Sequence, residues 1–355
     1  MGRFKKILII IRRSNGDVFL TDPLVRELKE KYNADIDVLI NKDTQMVAKL
    51  NPFFNRIFTY DYGWKGLKKY FNEIKLFWKI FKRYDLAINL TTNDRSTRYA
   101  IFSAKKSISV VDNEKRKNWW KKLLLTHYYY NENKHIILQN LIPLQFLQSI
   151  PKTIEVNSYY NKEVFDNLTE KYSFLKDKYI IFHPSAQYEY KIYPLHLRNT
   201  LLNLLNTLDI PIIITGGKSS VDLNIATSIP KLKNVYNLIG ETSLEEFIAI
   251  SDNSSCYIGM DTLNMHIAAS QNKKIFAIFG PTNHQIWSPW CNKLQTYAKT
   301  KELNQRYGNI NIFQANMDCV YCGLAGCDDK HGKSECLDYI NPSEIFLKVK
   351  KWIVA

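Results

Sequence analysis

The sequence contains no apolar run approaching the ~18 residues that a membrane-spanning helix needs, so no stretch of it reads as a span. Lys5 to Ile11 has a basic flank, but its apolar core is too short for a secretory leader, and Arg12-Arg13 follow at once. Lys6 stands where an N-myristoylation motif needs serine or threonine. No recognised nucleic-acid-binding motif is present. Thr215-Gly216-Gly217-Lys218-Ser219 lacks the Gly-x4-Gly-Lys spacing of a P-loop. These absences predict a cytoplasmic chain. Acidic residues are in short supply in one half only. Residues 1–150 carry 28 lysines and arginines against 14 acids, and residues 151–355 carry 21 against 20. The net charge of +15 therefore belongs almost wholly to the first half. Such a field suits nucleic acid, an acidic membrane surface or a phosphorylated, carboxylated glycolipid.

With 355 residues, 45% of them apolar and 23% charged, the chain can form two ordinary domains, each burying its own core. Ser254 to Trp290 organises the second half. It reads as a strand from Cys256 to Ile258, a Gly259-Met260-Asp261-Thr262 turn and a helix bearing Met265, Ile267, Ala268 and Ala269. A strand from Ile275 to Phe279 then ends at Gly280-Pro281. Asp261 or Thr262 occupies the N-cap position of this βαβ unit. The first N–H groups of the helix are left for a guest, and phosphate is the natural one. The chain opens with a similar unit: a strand from Lys6 to Arg12, a Ser14-Asn15-Gly16-Asp17 turn, a helix from about Val18 to Tyr32 and a strand from Ile36 to Ile40. Asp17 lies beyond the carboxyl end of the first strand, where open α/β sheets place ligands, although an aspartate there also serves as a helix cap. Further strands at Asp85 to Leu90, Tyr179 to Phe182, Pro211 to Thr215 and Asn234 to Leu238 alternate with helices. That alternation predicts parallel, doubly wound sheets. The polar, tyrosine-rich stretch from Pro151 to Lys178 carries the linker.

Gly259-Met-Asp261-Thr262-Leu-Asn-Met-His266-Ile-Ala-Ala269, with Phe279-Gly280-Pro281-Thr282 and Trp287-Ser-Pro289, resembles the donor-site signature of the lipopolysaccharide heptosyltransferases, glycosyltransferase family 9. Gly16-Asp17 with Pro23 resembles the acceptor-side signature of that family. Tyr84 to Thr91 and Trp119 to His127 look like its heptosyltransferase III subgroup. The resemblance implies an α/β GT-B fold, two Rossmann-like domains facing across a cleft. Residues 1–165 would bind acceptor, residues 166–340 the nucleotide sugar, and residues 341–355 would form a helix packing back toward the first domain. The implied reaction is an inverting, metal-independent transfer of heptose from ADP-heptose to the inner core of lipopolysaccharide or lipooligosaccharide, with no catalytic cofactor. By the same resemblance Asp17 is the general base, and Lys191 with the helix start at Thr262 stabilises the leaving ADP. Ser185 and Lys191 would hold the diphosphate and Asp222 would lie near the ribose. Gly259, Asp261, Thr262 and His266 would surround phosphates and sugar, and Arg95 and Arg98 would meet an acidic acceptor. Leu263-Asn264 departs from the family, which has a small residue and then proline there, and this leaves the exact sugar open. Asp35-Ile36-Asp37 stands at the entrance to a strand and reads as structural, not as the Asp-x-Asp metal clamp of other glycosyltransferases.

Trp64 to Tyr84 spaces Leu67, Tyr70, Phe71, Ile74, Phe77, Trp78 and Phe81 at helical intervals among seven basic residues. It reads as a basic amphipathic helix on the cytoplasmic face of the inner membrane, or as a crossover helix with a solvated lysine face. Arg116 to Tyr130 repeats the chemistry, which favours peripheral membrane contact. Cys319-x2-Cys322-x4-Cys327-x8-Cys336 suits a structural zinc, while Cys256 and Cys291 read as core thiols. Two other readings stay open. One is a GT-B enzyme using a different activated sugar. The other is a basic, non-catalytic membrane or nucleic-acid binder, which leaves Asp17, Lys191 and the Asp261 turn without a common purpose.

Overall fold

The computed structural model describes residues 4–113, 118–300, 302 and 304–354. Met1-Gly2 and Arg116, at the start of the second basic segment, lie outside the described residues. The chain divides into two compact units, Met1–Val156 and Asn157–Ala355. The sequence reading sets the boundary nine residues later.

The first unit is built on β1 (Lys6–Ile11), β2 (Asp35–Asn41), β3 (Phe54–Tyr60), β4 (Tyr84–Asn89), β5 (Ala104–Val111) and β6 (Thr126–Tyr129). They form one sheet in the order β3-β2-β1-β4-β5-β6, every pair parallel. A central parallel strand is covered on both faces, which is why β1 reads as an unbroken aliphatic run. Ile7 to Ile11 are all fully buried. Each such side chain contributes roughly 1.5–3 kcal/mol of burial. The order is that of the Rossmann fold, whose switch point lies between β1 and β4. The Asp35-Asp37 pair belongs to β2. Burial raises the pKa of Asp37, which accepts the Tyr84 hydroxyl proton at 2.7 Å, a structural use.

The expected single helix after β1 is two helices, Asn15–Phe19 and Asp22–Tyr32. Pro23 has no N–H and its ring clashes with the carbonyl four residues back, on Phe19, so one helix cannot run through. The Gly66–Ile80 helix has two apolar faces. Leu76 and Ile80 are buried in the unit's core, while Leu67, Tyr70, Phe71, Ile74 and Trp78 are each more than half exposed. In the Trp119–Leu124 helix, Trp119, Leu123 and Leu124 are exposed, but Lys121 is not part of any solvated face. It is buried and paired with Asp94 at 2.8 Å.

The second unit contains β7 (Ile180–His183), β8 (Ile212–Ile214), β9 (Val235–Asn237), β10 (Cys256–Met260), β11 (Lys274–Ile278), β12 (Asn304–Tyr307) and β13 (Ile310–Phe313). Its sheet runs β12-β13-β11-β10-β7-β8-β9, parallel except for β12 against β13. The β9-β8-β7-β10-β11 part repeats the Rossmann order, with its switch point between β7 and β10. The terminal helix, Pro342–Val354, belongs to this second unit. Ile345 and Val349 sit in the same buried cluster as Leu201 and Leu205 of the Leu195–Asn206 helix.

Candidate active site

In the first unit the switch point is polar and strongly cationic. Asp17 is buried on the short helix after β1 and closes a capping box with Ser14. The Ser14 hydroxyl donates to its Oδ2 at 2.5 Å and the Ser14 amide at 3.2 Å, while Arg13 Nε lies 2.9 Å from Oδ1. Burial works against the charge on Arg13, but Asp17 and Tyr130 outweigh it and hold its pKa above the usual value. Asp17 is thus a fixed carboxylate, oriented by partners close to it in sequence.

Arg12 is a residue that sequence reasoning missed. The residue is 4% exposed, its backbone amide donates to Thr91 Oγ1 at 2.9 Å, and its guanidinium stacks 3.9 Å from the Tyr60 ring and 5.2 Å from that of Tyr62. Arg12 Nε and Nη1 have no hydrogen-bond partner. Burial lowers its pKa, and nearby Arg95 adds to the effect. An unpaired buried donor costs about 1–3 kcal/mol, and a desolvated guanidinium over an aromatic face returns about 2 kcal/mol or more. Arg95, in the first turn of the Asp94–Ser103 helix, donates to the Tyr60 hydroxyl at 2.7 Å and reaches Glu73 at 3.6 Å. Arg98, one turn on, is exposed.

In the second unit the turns after β7, β8 and β10 meet. Lys191 Nζ lies 3.0 Å from Asp261 Oδ2. Burial disfavours the Lys191 ammonium, but Asp261 more than compensates and raises its pKa. Thr262, in extended backbone, is the N-cap of the Leu263–Ser270 helix and makes no side-chain cap bond. The helix start is left open to an anion, with a lysine beside it. His266 is buried on the same helix.

Ser185 and Asp222 spend their polar atoms on each other. The Ser185 hydroxyl donates to Asp222 Oδ1, while Ser219 donates to Oδ2 from its hydroxyl at 2.5 Å and its amide at 3.0 Å. Burial would raise the pKa of Asp222, but these bonds win and lower it. Gly259 faces backbone: an added Cβ would stand 2.4 Å from the His183 carbonyl oxygen on the paired strand β7. No side chain fits at this position without a shift of the paired strand. Asn264, the departure from the family pattern, has its amide 3.1 Å from His183 Nδ1, which also lies 3.0 Å from Thr215 Oγ1. Burial drives the pKa of His183 down to about 4, with Asp222 opposing, so its ring is neutral.

Cys336 is buried, while Cys319, Cys322 and Cys327 are exposed. Burial pushes the Cys336 thiol up to about 12. Among the described residues no three ligating side chains stand close enough to share a metal ion.

Two Rossmann-like units, one with a fixed carboxylate and one with a lysine beside an open helix start at the switch point, make up a fold of the GT-B class. The chain belongs to glycosyltransferase family 9 (heptosyltransferase), whose model matches residues 74–311. It is 27% identical over 299 residues to lipopolysaccharide heptosyltransferase 3 of Escherichia coli K12, covering 81% of this chain and 86% of that relative. The fold matches an E. coli ADP-heptose lipopolysaccharide heptosyltransferase II with a TM-score of 0.72 at 17% identity, over 98% of both chains. An E. coli heptosyltransferase solved with ADP gives a TM-score of 0.70 at 14% identity, over 98% of this chain and 99% of that one.

Proposed function

We propose that the protein transfers heptose from ADP-heptose to a hydroxyl of the lipopolysaccharide or lipooligosaccharide inner core, with inversion and without a metal. The observation that carries this reading is Lys191 held against Asp261 beside the open start of the Leu263–Ser270 helix, in a chain of this family. Asp17 accepts the proton of the acceptor hydroxyl as that oxygen attacks the anomeric carbon. The bond from that carbon to the diphosphate oxygen breaks, and Lys191 with the helix N–H groups stabilises the charge on the departing ADP. Arg95 and Arg98 contact the acidic acceptor. Asp17 lies outside the matched residues 74–311, so its role rests on the Gly16-Asp17 resemblance and on its ion pair with Arg13.

The reading includes work at the cytoplasmic face of the inner membrane. No helix among the described residues is long and apolar enough to cross a membrane. The exposed stripe of Leu67, Tyr70, Phe71, Ile74 and Trp78, flanked by lysines, suits an anionic bilayer surface instead. The four-cysteine segment is proposed as a structural zinc site on its donor set, and elemental analysis finding no stoichiometric zinc would remove it.

Calorimetric titration with ADP, UDP and GDP in EDTA, followed by turnover of ADP-heptose on truncated core acceptors, tests the function. Selective ADP binding and transfer are expected. Preference for UDP or GDP would overturn the sugar, and binding of neither the nucleotides nor intact nucleotide sugar would overturn the enzyme.

A further inference from the structure

We propose that Arg12, Arg95 and Tyr60 form a cradle for an oxyanion carried by the acceptor, a phosphate or carboxylate that is gripped while Asp17 takes the proton from the reacting hydroxyl. The inference rests on the glycosyl transfer proposed above and adds a specificity-determining residue to it.

Three elements converge on the cradle. Arg12 is the first residue after β1, Tyr60 ends β3, and Arg95 starts the helix after β4. Both guanidiniums lie over one ring, that of Tyr60, at 3.9 Å for Arg12 and 5.1 Å for Arg95. Glu73 is the nearby acid, and its Oε1 accepts the Tyr60 hydroxyl proton at 2.7 Å as well as facing Arg95 at 3.6 Å. One carboxylate thus serves Arg95. Among the described residues no carboxylate pairs with Arg12, whose side chain is nine-tenths buried or more and whose Nε and Nη1 donate to nothing.

A purely structural Arg12, stacked on tyrosines, is the simpler account, but it leaves the geometry half used. Stacking engages the face of a guanidinium, whereas its donors lie around the edge, in the plane. The edge is what matches the paired oxygens of phosphate or carboxylate. The neighbouring Arg13 is already committed to Asp17 at 2.9 Å, so the two consecutive arginines divide the work. One fixes the base and the other is available to the acceptor. An oxyanion held by Arg12 is tied to an anchor only five residues from Asp17, which sets the register of the acceptor sugar against the base.

The test titrates the full chain, without donor, with three acceptors. These are a phosphorylated truncated inner core, its phosphatase-treated form and its carboxyl-reduced form. Wild-type protein should lose about tenfold or more in affinity when one of the two groups is removed, and the group removed identifies the oxyanion. Arg12→Met should bind all three alike, at the level of wild type for the stripped acceptor, and Arg12→Lys should fall between. ADP affinity, a property of the second unit, and a cooperative thermal transition report folding. If Arg12→Met does not fold, Arg95→Met should show the same loss of preference. Equal wild-type affinity for all three acceptors, or an unchanged preference in a folded Arg12→Met, overturns the cradle. Wild-type protein that binds ADP but none of the acceptors overturns the acceptor assignment itself.

Discussion

Lys191 and Asp261 meet at 3.0 Å across seventy residues of sequence, and both are largely removed from water. The pair joins the turn after β7 to the turn after β10, so one ion pair fixes the two loops that flank the switch point. Removing Lys191 leaves Asp261 as a buried, unbalanced charge, which costs up to about 3–5 kcal/mol. Lys191→Met should therefore lower both stability and turnover, whereas Lys191→Met with Asp261→Asn should regain most of the stability and none of the turnover. Chemical denaturation beside steady-state kinetics reads both quantities. Restored turnover in the double variant would show that the lysine serves only the fold.

Asp17→Asn keeps the shape of the side chain and its bond from Ser14 but loses the basic oxygen. Turnover should fall by about 10²–10⁴-fold, the usual worth of a positioned base, with ADP affinity unchanged. Single-turnover kinetics with saturating donor and acceptor isolate the chemical step. Full activity in this variant would refute the assignment of the base.

Gly259→Ala should damage the second unit rather than donor affinity as such. The new methyl would meet the His183 carbonyl at 2.4 Å, and backbone cannot step aside cheaply inside a paired sheet. Overpacking of this kind costs typically 1–3 kcal/mol or more. A lowered melting temperature, with near-normal ADP affinity in the fraction that remains folded, is expected. A stable variant that has lost ADP binding would return Gly259 to the donor site.

Acid should destabilise the protein before its carboxylates titrate. His183 is held down at about 4 against an ordinary 6.5. Between those values the unfolded chain binds the proton and the folded chain does not. Stability is complete above pH ~6.5 and declines toward pH 4 by at most about 3 kcal/mol. Denaturant unfolding at a series of pH values should show this slope, and His183→Asn should flatten it.

Phe71→Ser with Trp78→Ser removes two rings from the exposed stripe of the Gly66–Ile80 helix without touching Leu76 or Ile80, which hold the helix to its unit. Co-sedimentation with vesicles containing anionic lipid should fall severalfold, while activity on a soluble, truncated acceptor should persist. Unchanged sedimentation would detach the stripe from the membrane.

The strands nearest the switch points were legible because buried parallel strands are written as aliphatic runs, as in Ile7 to Ile11 and Ile212 to Ile214. β3, β5, β6, β12 and β13 escaped the reading. β3 is half exposed and mixes asparagine, arginine and threonine, so no periodic signal marks it. Missing β3 meant missing Tyr60, and with it the place where Arg12 lands. In sequence, Arg12 is only the basic end of a strand. The Ser185–Asp222 bond was invisible for another reason. A motif lists which polar groups a loop carries but not which of them consume one another once β7 and β8 pair. The Pro23 break is written in the sequence, but the apolar period of Leu20, Leu24, Val25 and Leu28 runs on across it.

The position of β1 also has a consequence for synthesis. Its partner on one side, β2, follows within about thirty residues, but on the other side Ile7 pairs with Leu86. Translation at roughly 5–20 residues per second leaves that edge of an isoleucine-rich strand without its partner for ~4–16 s on every nascent chain. During that interval the exposed edge of this aliphatic strand is a sticky template for other chains.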